Sequence, residues 1–227
     1  MPTFKSVLAS RLNYPCTVLD SKFTFKDFVP LDLSPQNKDL QKLDISSSKE
    51  LHIYIWNYKK LNNAKIAFGG YLEKRKIYQR SAYFNETASS ERNIHLGIDL
   101  WLDADSDIFA PINGRVHSFK NNTNFGDYGP TIILEHSIDG FSFFTLYGHL
   151  SESSLVGLKE GQWIEKGMPF ATLGDASVNG DYPPHLHFQI ILDIKDFKGD
   201  YPGVCSSLDV DYYQQNCPDP DLILKLK

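Results

Sequence analysis

The chain has 227 residues, of which 41% are hydrophobic and 13% aromatic, and it carries a formal net charge of −5. This composition is typical of a globular protein with one large domain, or one domain and a small extension, and it argues against general disorder. The negative charge gives no bulk attraction to nucleic acid or to anionic lipid, so neither is an expected partner.

The N-terminal region does not show the sequence pattern that predicts a signal peptide. Its first twenty residues have no unbroken apolar stretch of the length that such a peptide needs, and no later run is long enough to span a membrane. We therefore expect a cytoplasmic location, with export by another route left open.

The three cysteines are Cys16, Cys205 and Cys217. They are odd in number and widely spaced, and they form no C-x-x-C pair. This spacing favours neither a disulfide framework nor a thiolate zinc site. Reduced thiols with a structural role are the simpler interpretation.

Residues 1–90 are predicted to form an extension that contains β structure and packs on the core. The first fifty residues alternate short apolar pieces with Pro and Asp, which indicates few strands. LHIYIW, at 51–56, is rich in β-branched and aromatic residues and is typical of a strand. AFGGYL and KIYQRSAYF suggest further strands, broken at a glycine pair, and residues 85–93 are predicted to form a loop.

From Ile94 onward, short apolar runs separated by Gly, Asn, Asp or Pro follow one another closely. This spacing predicts a mainly β domain, with an antiparallel sheet folded into a sandwich or a barrel-like form, over residues 91–195. Residues 196–227 are rich in turns, and we expect them to form a C-terminal cap or linker.

The run HLHFQIIL, at 185–192, predicts two histidines on one face of a strand. Because strand side chains alternate, His185, His187 and Gln189 point to one side and the apolar residues between them to the other. A helix would place His185 and His187 about 200° apart, given its period of 3.6 residues. The pair can therefore converge on one ion only if this stretch is extended.

Two further runs show a similar alternation. IHLGIDLWL, at 94–102, separates an aliphatic face from a face that carries His95, Asp99 and Trp101, with Gly97 leaving room for an approaching group. The alternation in FFTLYGHL predicts one polar face made of Phe143, Thr145, Tyr147 and His149.

Imidazole nitrogen and carboxylate oxygen suit zinc, and a catalytic zinc typically keeps three protein ligands and a water. The five candidates are His95, Asp99, His149, His185 and His187. Because five exceeds three, some of them must act on the water, as a hydrolase requires. Either motif alone is equally well explained by structural side chains. The remaining histidines have no such companions and are interpreted as structural: His52, His117 and His136.

The motifs IHLGID, YGHL and PHLHFQ, in this order, resemble those of the lysostaphin- and LytM-type zinc metallopeptidases. APINGRV, GDYGPTIILEH and LKEGQWIEKGMPFATLGD, which lie between them, resemble the same family, so the likeness covers residues 91–193. It implies that His95, Asp99 and His187 bind one zinc ion per chain and that His149 and His185 form the catalytic pair beside it. It also implies an antiparallel β-rich domain and endopeptidase cleavage of peptides, often Gly-containing bridges of peptidoglycan.

The flanking sequences resemble a narrower group within that family. AFGGYLEKRKIYQRSAYF and GDYPGVCSSLDVDYYQQNCPDPDLIL are similar to the peptidase module that is joined to kinase-like and aminotransferase or phospho-lyase-like domains in long polypeptides. The loop GDASVNGDYPPHLHF is longer than the family's usual approach to the last motif. These features leave the substrate open.

Two alternative functions therefore remain. One is a zinc-dependent hydrolase of a cytosolic amide metabolite, and the other is a zinc-containing binding module without catalysis. Tyr128 could supply a hydroxyl donor or serve only in packing, and Trp101 and Gln189 could line the groove. Whether residues 1–90 block or shape that groove, and the oligomeric state, are left open by the sequence.

Overall fold

The computed structural model describes residues 3–12, 17–81 and 91–226. Cys16, most of the predicted loop at 85–93 and the last three residues of KIYQRSAYF lie outside them. The helices are α1 (Phe4–Arg11), α2 (Ser48–Leu61), α3 (Val210–Asn216) and α4 (Asp221–Leu224). The strands are β1 (Phe28–Pro30), β2 (Ile66–Gly69), β3 (Ile94–His95), β4 (Ile98–Trp101), β5 (Asp107–Phe109), β6 (Gly114–Asn122), β7 (Gly129–Ile138), β8 (Phe141–Gly148), β9 (Trp163–Ile164), β10 (Pro169–Thr172), β11 (His185–Ile191) and β12 (Val204–Cys205).

Eight of these strands form one sheet, in the order β1-β2-β4-β11-β8-β7-β6-β9. β1 and β2 run parallel, and the other neighbouring strands run antiparallel. β5 pairs with β10, and β3 pairs with β12. The mainly β prediction is confirmed. The large sheet is mixed rather than purely antiparallel, and among the described strands it does not close into a barrel.

The central strands bury one face in the main apolar core. Ile98 of β4, Phe188 of β11 and Tyr147 of β8 all belong to that core. Because neighbouring residues of a strand point to opposite faces, Asp99 and His187 lie on the other side of the sheet. The register places these two residues directly opposite each other on adjacent strands. Sheet pairing therefore fixes the position of the polar residues.

The stretch LHIYIW lies in helix α2, so the strand predicted for it is wrong. Ser47 caps the helix by accepting a hydrogen bond from the backbone N–H of Glu50. The buried residues Leu51, Ile55 and Lys59 recur every four positions, which is the spacing of one helix face. A run of six residues is too short to distinguish that period from a buried strand.

The rest of the extension adds to the sheet. The strand predicted for AFGGYL is confirmed as far as Gly69, where β2 ends. β2 pairs with β4. KIYQRSAYF is not a strand in its described part, because Ile77–Arg80 forms a 3-10 helix. Of the described helices, none is long and apolar enough to cross a membrane.

Both ends of the chain pack into the same core as the central strands. Leu8 of α1 and Ile223 of α4 are fully buried there, together with Phe68 of β2. β12, which lies in the region predicted to be a cap, pairs with β3. The N-terminal and C-terminal regions thus share their apolar packing with the central domain.

The two described cysteines are buried free thiols. The Nε2 atom of Gln189 donates a hydrogen bond to Sγ of Cys217 at 3.3 Å. Burial is the main cause that raises the pKa of Cys205 and of Cys217 to about 12. Both thiols are therefore protonated at neutral pH, as expected for cysteines with a packing role.

His136 on β7 is a buried histidine outside the polar face described above. Its Nδ1–H donates to the carbonyl of Asn113 at 2.9 Å, and its Nε2 lies 2.7 Å from the hydroxyl of Thr145. Burial is the main cause that lowers its pKa to about 4. Below an unfolded-state pKa of about 6.5, the unfolded chain therefore binds a proton that the folded chain excludes, and the free energy of unfolding falls as the pH falls.

We predict that His136→Gln makes the fold less sensitive to acid. Between about pH 7 and about pH 5, proton uptake at His136 should lower the free energy of unfolding of the unmodified protein by about 2 kcal/mol, and the variant should lack this contribution. Urea unfolding at both pH values measures the difference. His117→Gln, which removes a half-buried imidazole on β6, is the matched control. Equal pH dependence in His136→Gln and the unmodified protein would contradict the prediction.

Candidate metal centre

Three strands bring His95, Asp99 and His187 together on the polar side of the sheet. Nε2 of His95 and Nδ1 of His187 are 2.8 Å apart. Oδ1 of Asp99 lies 3.2 Å from the first of these atoms and 3.3 Å from the second. All three side chains are buried. The structure thus places one atom from each of the three predicted ligands around a common point.

The donor atoms fit a zinc ion. Ligand bonds of about 2.0–2.2 Å in a tetrahedral arrangement require donor atoms about 3.3 Å apart, close to the separations found here. Oδ1 of Asp99 is buried and has no hydrogen-bond partner among the described residues. An ionised oxygen in that position is costly unless a cation or a donor compensates it. Two imidazoles and one carboxylate are also the ligand types that zinc takes.

Hydrogen bonds fix the tautomers of the two histidine ligands. Nδ1–H of His95 donates to the carbonyl of Gly70 at 3.0 Å. Nε2–H of His187 donates to Oε1 of Gln189 at 2.9 Å, and the amide of Gln189 is oriented by donating to the carbonyl of Pro202 at 3.1 Å. The opposite ring nitrogens therefore carry lone pairs and face the common point, as metal ligands require.

The charge states of the ligands also suit a cation. Burial is the main cause that lowers the pKa of His95 to about 3, so its imidazole is neutral at pH 7. Burial opposes ionisation of Asp99, but the adjacent Arg75 guanidinium favours it, and the pKa of that carboxyl lies well below its usual range. Neutral imidazole and ionised carboxylate are the forms that bind metal.

His149 reaches the site by a route that strand alternation does not predict. Phe143, Thr145 and Tyr147 do share a face, but Phe143 and Tyr147 lie in the apolar core, so the polar face predicted for them is wrong. β8 ends at Gly148, and His149 has a left-handed backbone with φ of +63°. This turn directs its ring to the opposite side of the sheet, 4.2 Å from the ring of His185.

His149 and His185 have matching hydrogen bonds. Nδ1–H of His149 donates to the carbonyl of Asn179 at 2.8 Å, and Nδ1–H of His185 donates to the carbonyl of Pro183 at 2.7 Å. Each Nε2 therefore carries a lone pair, and that of His185 lies 3.8 Å from Oδ1 of Asp99. Burial is the main cause that lowers the pKa of both histidines. Both rings are neutral bases beside the candidate ligands.

A pocket of about 290 Å³ opens onto these residues. The extension supplies part of its wall, and the contributing side chains include Leu33, Leu51, Ile77 and Tyr78. Trp101 and Tyr128 also line it, the first stacked on His185 and the second with its hydroxyl 3.4 Å from Nε2 of His187. Gln189 holds His187 and is not part of the pocket wall. His52, His117 and His136 lie outside the pocket.

Sequence reasoning missed several residues that hold the candidate ligands. Gly70 was read only as a break between strands, yet its carbonyl orients His95. Arg75 is one of several basic residues in LEKRKIY, and no pattern distinguishes it, yet it bonds to Asp99 at 2.5 Å. Asn179 lies in the long loop before β11 and holds His149. These contacts join segments that are distant in the sequence, so no local signal marks them.

Residues 93–198 match the family model described as Peptidase family M23. A comparison with curated proteins found no match. Solved structures are similar to the chain at low identity. The catalytic domain of the antimicrobial peptidase lysostaphin from Staphylococcus simulans is 20% identical with a TM-score of 0.43, and the match covers 69% of this chain and 96% of that domain.

Two further solved structures are similar to this chain over less than half of their own length. A candidate peptidase M23 from Pseudomonas aeruginosa is 21% identical with a TM-score of 0.40, over 59% of this chain and 44% of its own. A zinc containing peptidase from Vibrio cholerae is 23% identical with a TM-score of 0.36, over 47% of this chain and 30% of its own. The chain thus spans less than half of either protein.

Gly97 allows the ring of His187 to lie directly against the backbone of the segment between β3 and β4. A Cβ atom at this position would lie 2.6 Å from Cε1 and 2.7 Å from Nε2 of His187, and 2.7 Å from the carbonyl oxygen of Phe188. These distances are too short for any side chain, so the imidazole would have to move. The room that the sequence predicts at Gly97 is taken by a candidate ligand.

We predict that Gly97→Ala weakens zinc binding by about tenfold or more, because displaced supporting contacts of a metal site typically cost 10–100-fold in affinity. Competition titration with a chromophoric zinc chelator measures the change. Gly157→Ala is the control, since its added methyl meets no atom within 4 Å but strains a backbone with φ of +76°. It should lower stability and leave zinc affinity unchanged. If Gly97→Ala binds zinc as tightly as the unmodified protein does, His187 is not a ligand.

Proposed function

We propose that the chain is a zinc-dependent peptidase of the M23 type whose zinc is held by His95, Asp99 and His187, because residues 93–198 match the model of Peptidase family M23. One observation carries this proposal. Within the described part of the chain, Oδ1 of Asp99 is buried without a hydrogen-bond partner at the point where the lone pairs of His95 and His187 meet. The family match supports the hydrolytic class, and the donor set supports zinc.

When bound, zinc supplies Lewis-acid chemistry that polarises a carbonyl and makes water more acidic. The chain's own residues provide the proton transfers. His149 or His185 accepts a proton from the attacking water at Nε2 and returns it to the leaving amine. The centroid of the other ring lies 4.2 Å away, and its free Nε2 offers a second proton acceptor beside the first. Because both have Nδ1 bound to a carbonyl and a free Nε2, the geometry supports either assignment.

This pair also argues for catalysis over a purely structural metal. A structural zinc is enclosed by four protein ligands, whereas a catalytic one keeps an open position. Here three donors converge, and two further neutral imidazoles face the same pocket. A binding module without catalysis has no need for these two rings.

The proposed substrates are peptides, and the family resemblance suggests Gly-containing peptides such as peptidoglycan cross-bridges. One observation favours a second candidate, a small peptide or amide. Side chains from the N-terminal extension, among them Leu51 and Tyr78, wall the pocket. A volume of about 290 Å³ lies at the lower end of the range for small-molecule sites.

We predict that His187→Ala and His149→Ala separate metal binding from chemistry. His187→Ala should lose both zinc and activity, because a ligand is removed. His149→Ala should keep one zinc per chain while peptide hydrolysis falls by about 100-fold or more, the usual size of a lost acid-base contribution. Metal analysis of the dialysed proteins and hydrolysis of a fluorogenic Gly-rich peptide, with and without chelator, measure the two properties.

His117→Ala is the control for these variants, and it should retain both zinc and activity because His117 lies outside the pocket. Loss of zinc in His149→Ala to the same extent as in His187→Ala would refute the division of roles. Hydrolysis that persists after complete zinc removal would refute the proposed function.

We also predict that substrate length decides between the two substrate classes. A pocket walled by the extension should give a higher kcat/KM for Gly-containing peptides of two to four residues than for longer peptides or purified peptidoglycan. A length series assayed with zinc-loaded protein measures this dependence. A rate that rises steadily with length, and cleavage of intact peptidoglycan, would instead support the cross-bridge substrate.

A further inference from the structure

The two carboxylate oxygens of Asp99 have different surroundings. Oδ1 faces His95 and His187, and no residue that the structure describes forms a hydrogen bond with it. Oδ2 accepts a hydrogen bond from Nη1 of Arg75 at 2.5 Å. The side chains of Asp99 and Arg75 are 1% and 4% exposed, so little water competes for this contact. One oxygen is thus occupied by the guanidinium, and the other is left for a cation.

Arg75 is itself held by a second carboxylate. Its Nε–H donates to Oε2 of Glu73 at 2.5 Å, and Oε1 of Glu73 accepts from the backbone N–H of Leu33 at 3.0 Å. The planar guanidinium therefore bridges two acids through different nitrogen atoms. Such a fork cannot turn without breaking one of the bonds, which makes it a rigid support.

The segment that carries this pair is joined to the first candidate ligand. The backbone N–H of His95 donates to the carbonyl of Glu73, and that of Leu72 donates to the carbonyl of His95. Gly70 has a φ of +107°, and the space left by its missing side chain is filled by Nη2 of Arg75. The carbonyl of the same glycine accepts the bond from Nδ1 of His95. Residues 70–75 thus support two of the three candidate ligands.

We propose that Arg75 is a positioning residue for the metal site and that it holds Asp99 as a one-oxygen ligand, with Glu73 as its counter-charge. This inference rests on the proposed zinc site. Without Arg75, the carboxylate is free to rotate about its terminal torsion and to offer both oxygens, which changes the geometry available to the cation. The guanidinium also offsets part of the negative charge that Asp99 and Glu73 would otherwise bring together in a buried place.

The opposing interpretation is that Glu73, Arg75 and Asp99 form an ion-pair network that serves stability alone. Both interpretations predict that losing Arg75 destabilises the fold, because removing one partner leaves a buried charge uncompensated. They differ in what happens to the metal. Only a positioning role predicts that variants which still fold will bind metal more weakly and with altered geometry.

Three variants test the proposal by zinc affinity and by the visible absorption of cobalt(II) bound in place of zinc, which reports ligand geometry. The double variant Glu73→Gln with Arg75→Gln removes the fork and leaves no unpaired Glu73 charge. Arg75→Lys keeps the charge but replaces the planar fork with a single ammonium group. Arg11→Gln is the matched control, since it removes an arginine that pairs with Asp139 outside the pocket. Circular dichroism and thermal unfolding establish that each protein is folded.

We expect the double variant to bind zinc about 10–100-fold more weakly than the unmodified protein and to show a changed cobalt(II) spectrum. Arg75→Lys should recover part of the affinity, and Arg11→Gln should match the unmodified protein in both measurements. A folded double variant with unchanged zinc affinity and cobalt(II) spectrum would overturn the proposal. If the double variant does not fold, Arg75→Lys decides, and unchanged affinity and spectrum in that variant would overturn it.

The outcome is separable from the fate of the proposed function, because neither measurement uses a peptide. If the unmodified protein binds zinc and hydrolyses nothing, the peptidase proposal fails and the comparison among the Arg75 variants still stands. If the unmodified protein binds no zinc, both proposals fail together.

Discussion

An ionised carboxylate that is 1% exposed is the constraint on which the site depends. Burying such a charge costs several kcal/mol unless opposite charges and hydrogen bonds compensate it. Arg75 compensates one oxygen of Asp99, and the two neighbouring imidazoles turn lone pairs toward the other oxygen, because their opposite N–H groups donate elsewhere. A cation at that point would complete the compensation and use those lone pairs at the same time. The unpartnered oxygen thus agrees with a metal site and is hard to explain without one.

The architecture can be understood as the means of placing this carboxylate. Sheet register sets Asp99 opposite His187, while an aliphatic reverse face anchors both strands in the core. Backbone pairing between residues 70–75 and His95 then brings the guanidinium to the same point. Because the extension supplies Gly70 and Arg75 as well as part of the pocket wall, we propose that residues 91–195 are not a self-sufficient catalytic unit. The matched family segment, residues 93–198, omits these supports.

The sequence could predict the positions of site residues where those residues lie on regular strands. His185 and His187, and likewise His95 and Asp99, follow a period of two with an apolar reverse, and the structure places them as that period requires. His149 escapes the rule because a left-handed residue after the end of β8 reverses its direction. Helix α2 was not predicted because a run of six residues fits either period. Arg75 was missed because its partners are 24 residues or more away, or are unmarked neighbours such as Glu73.

The most direct test of the account is zinc-edge anomalous diffraction from crystals of the zinc-loaded protein. We predict a single strong peak per chain, within bonding distance of Nε2 of His95, Oδ1 of Asp99 and Nδ1 of His187. A peak bonded to other residues, or protein that takes up no stoichiometric zinc, would contradict the central claim that these three atoms form one metal site.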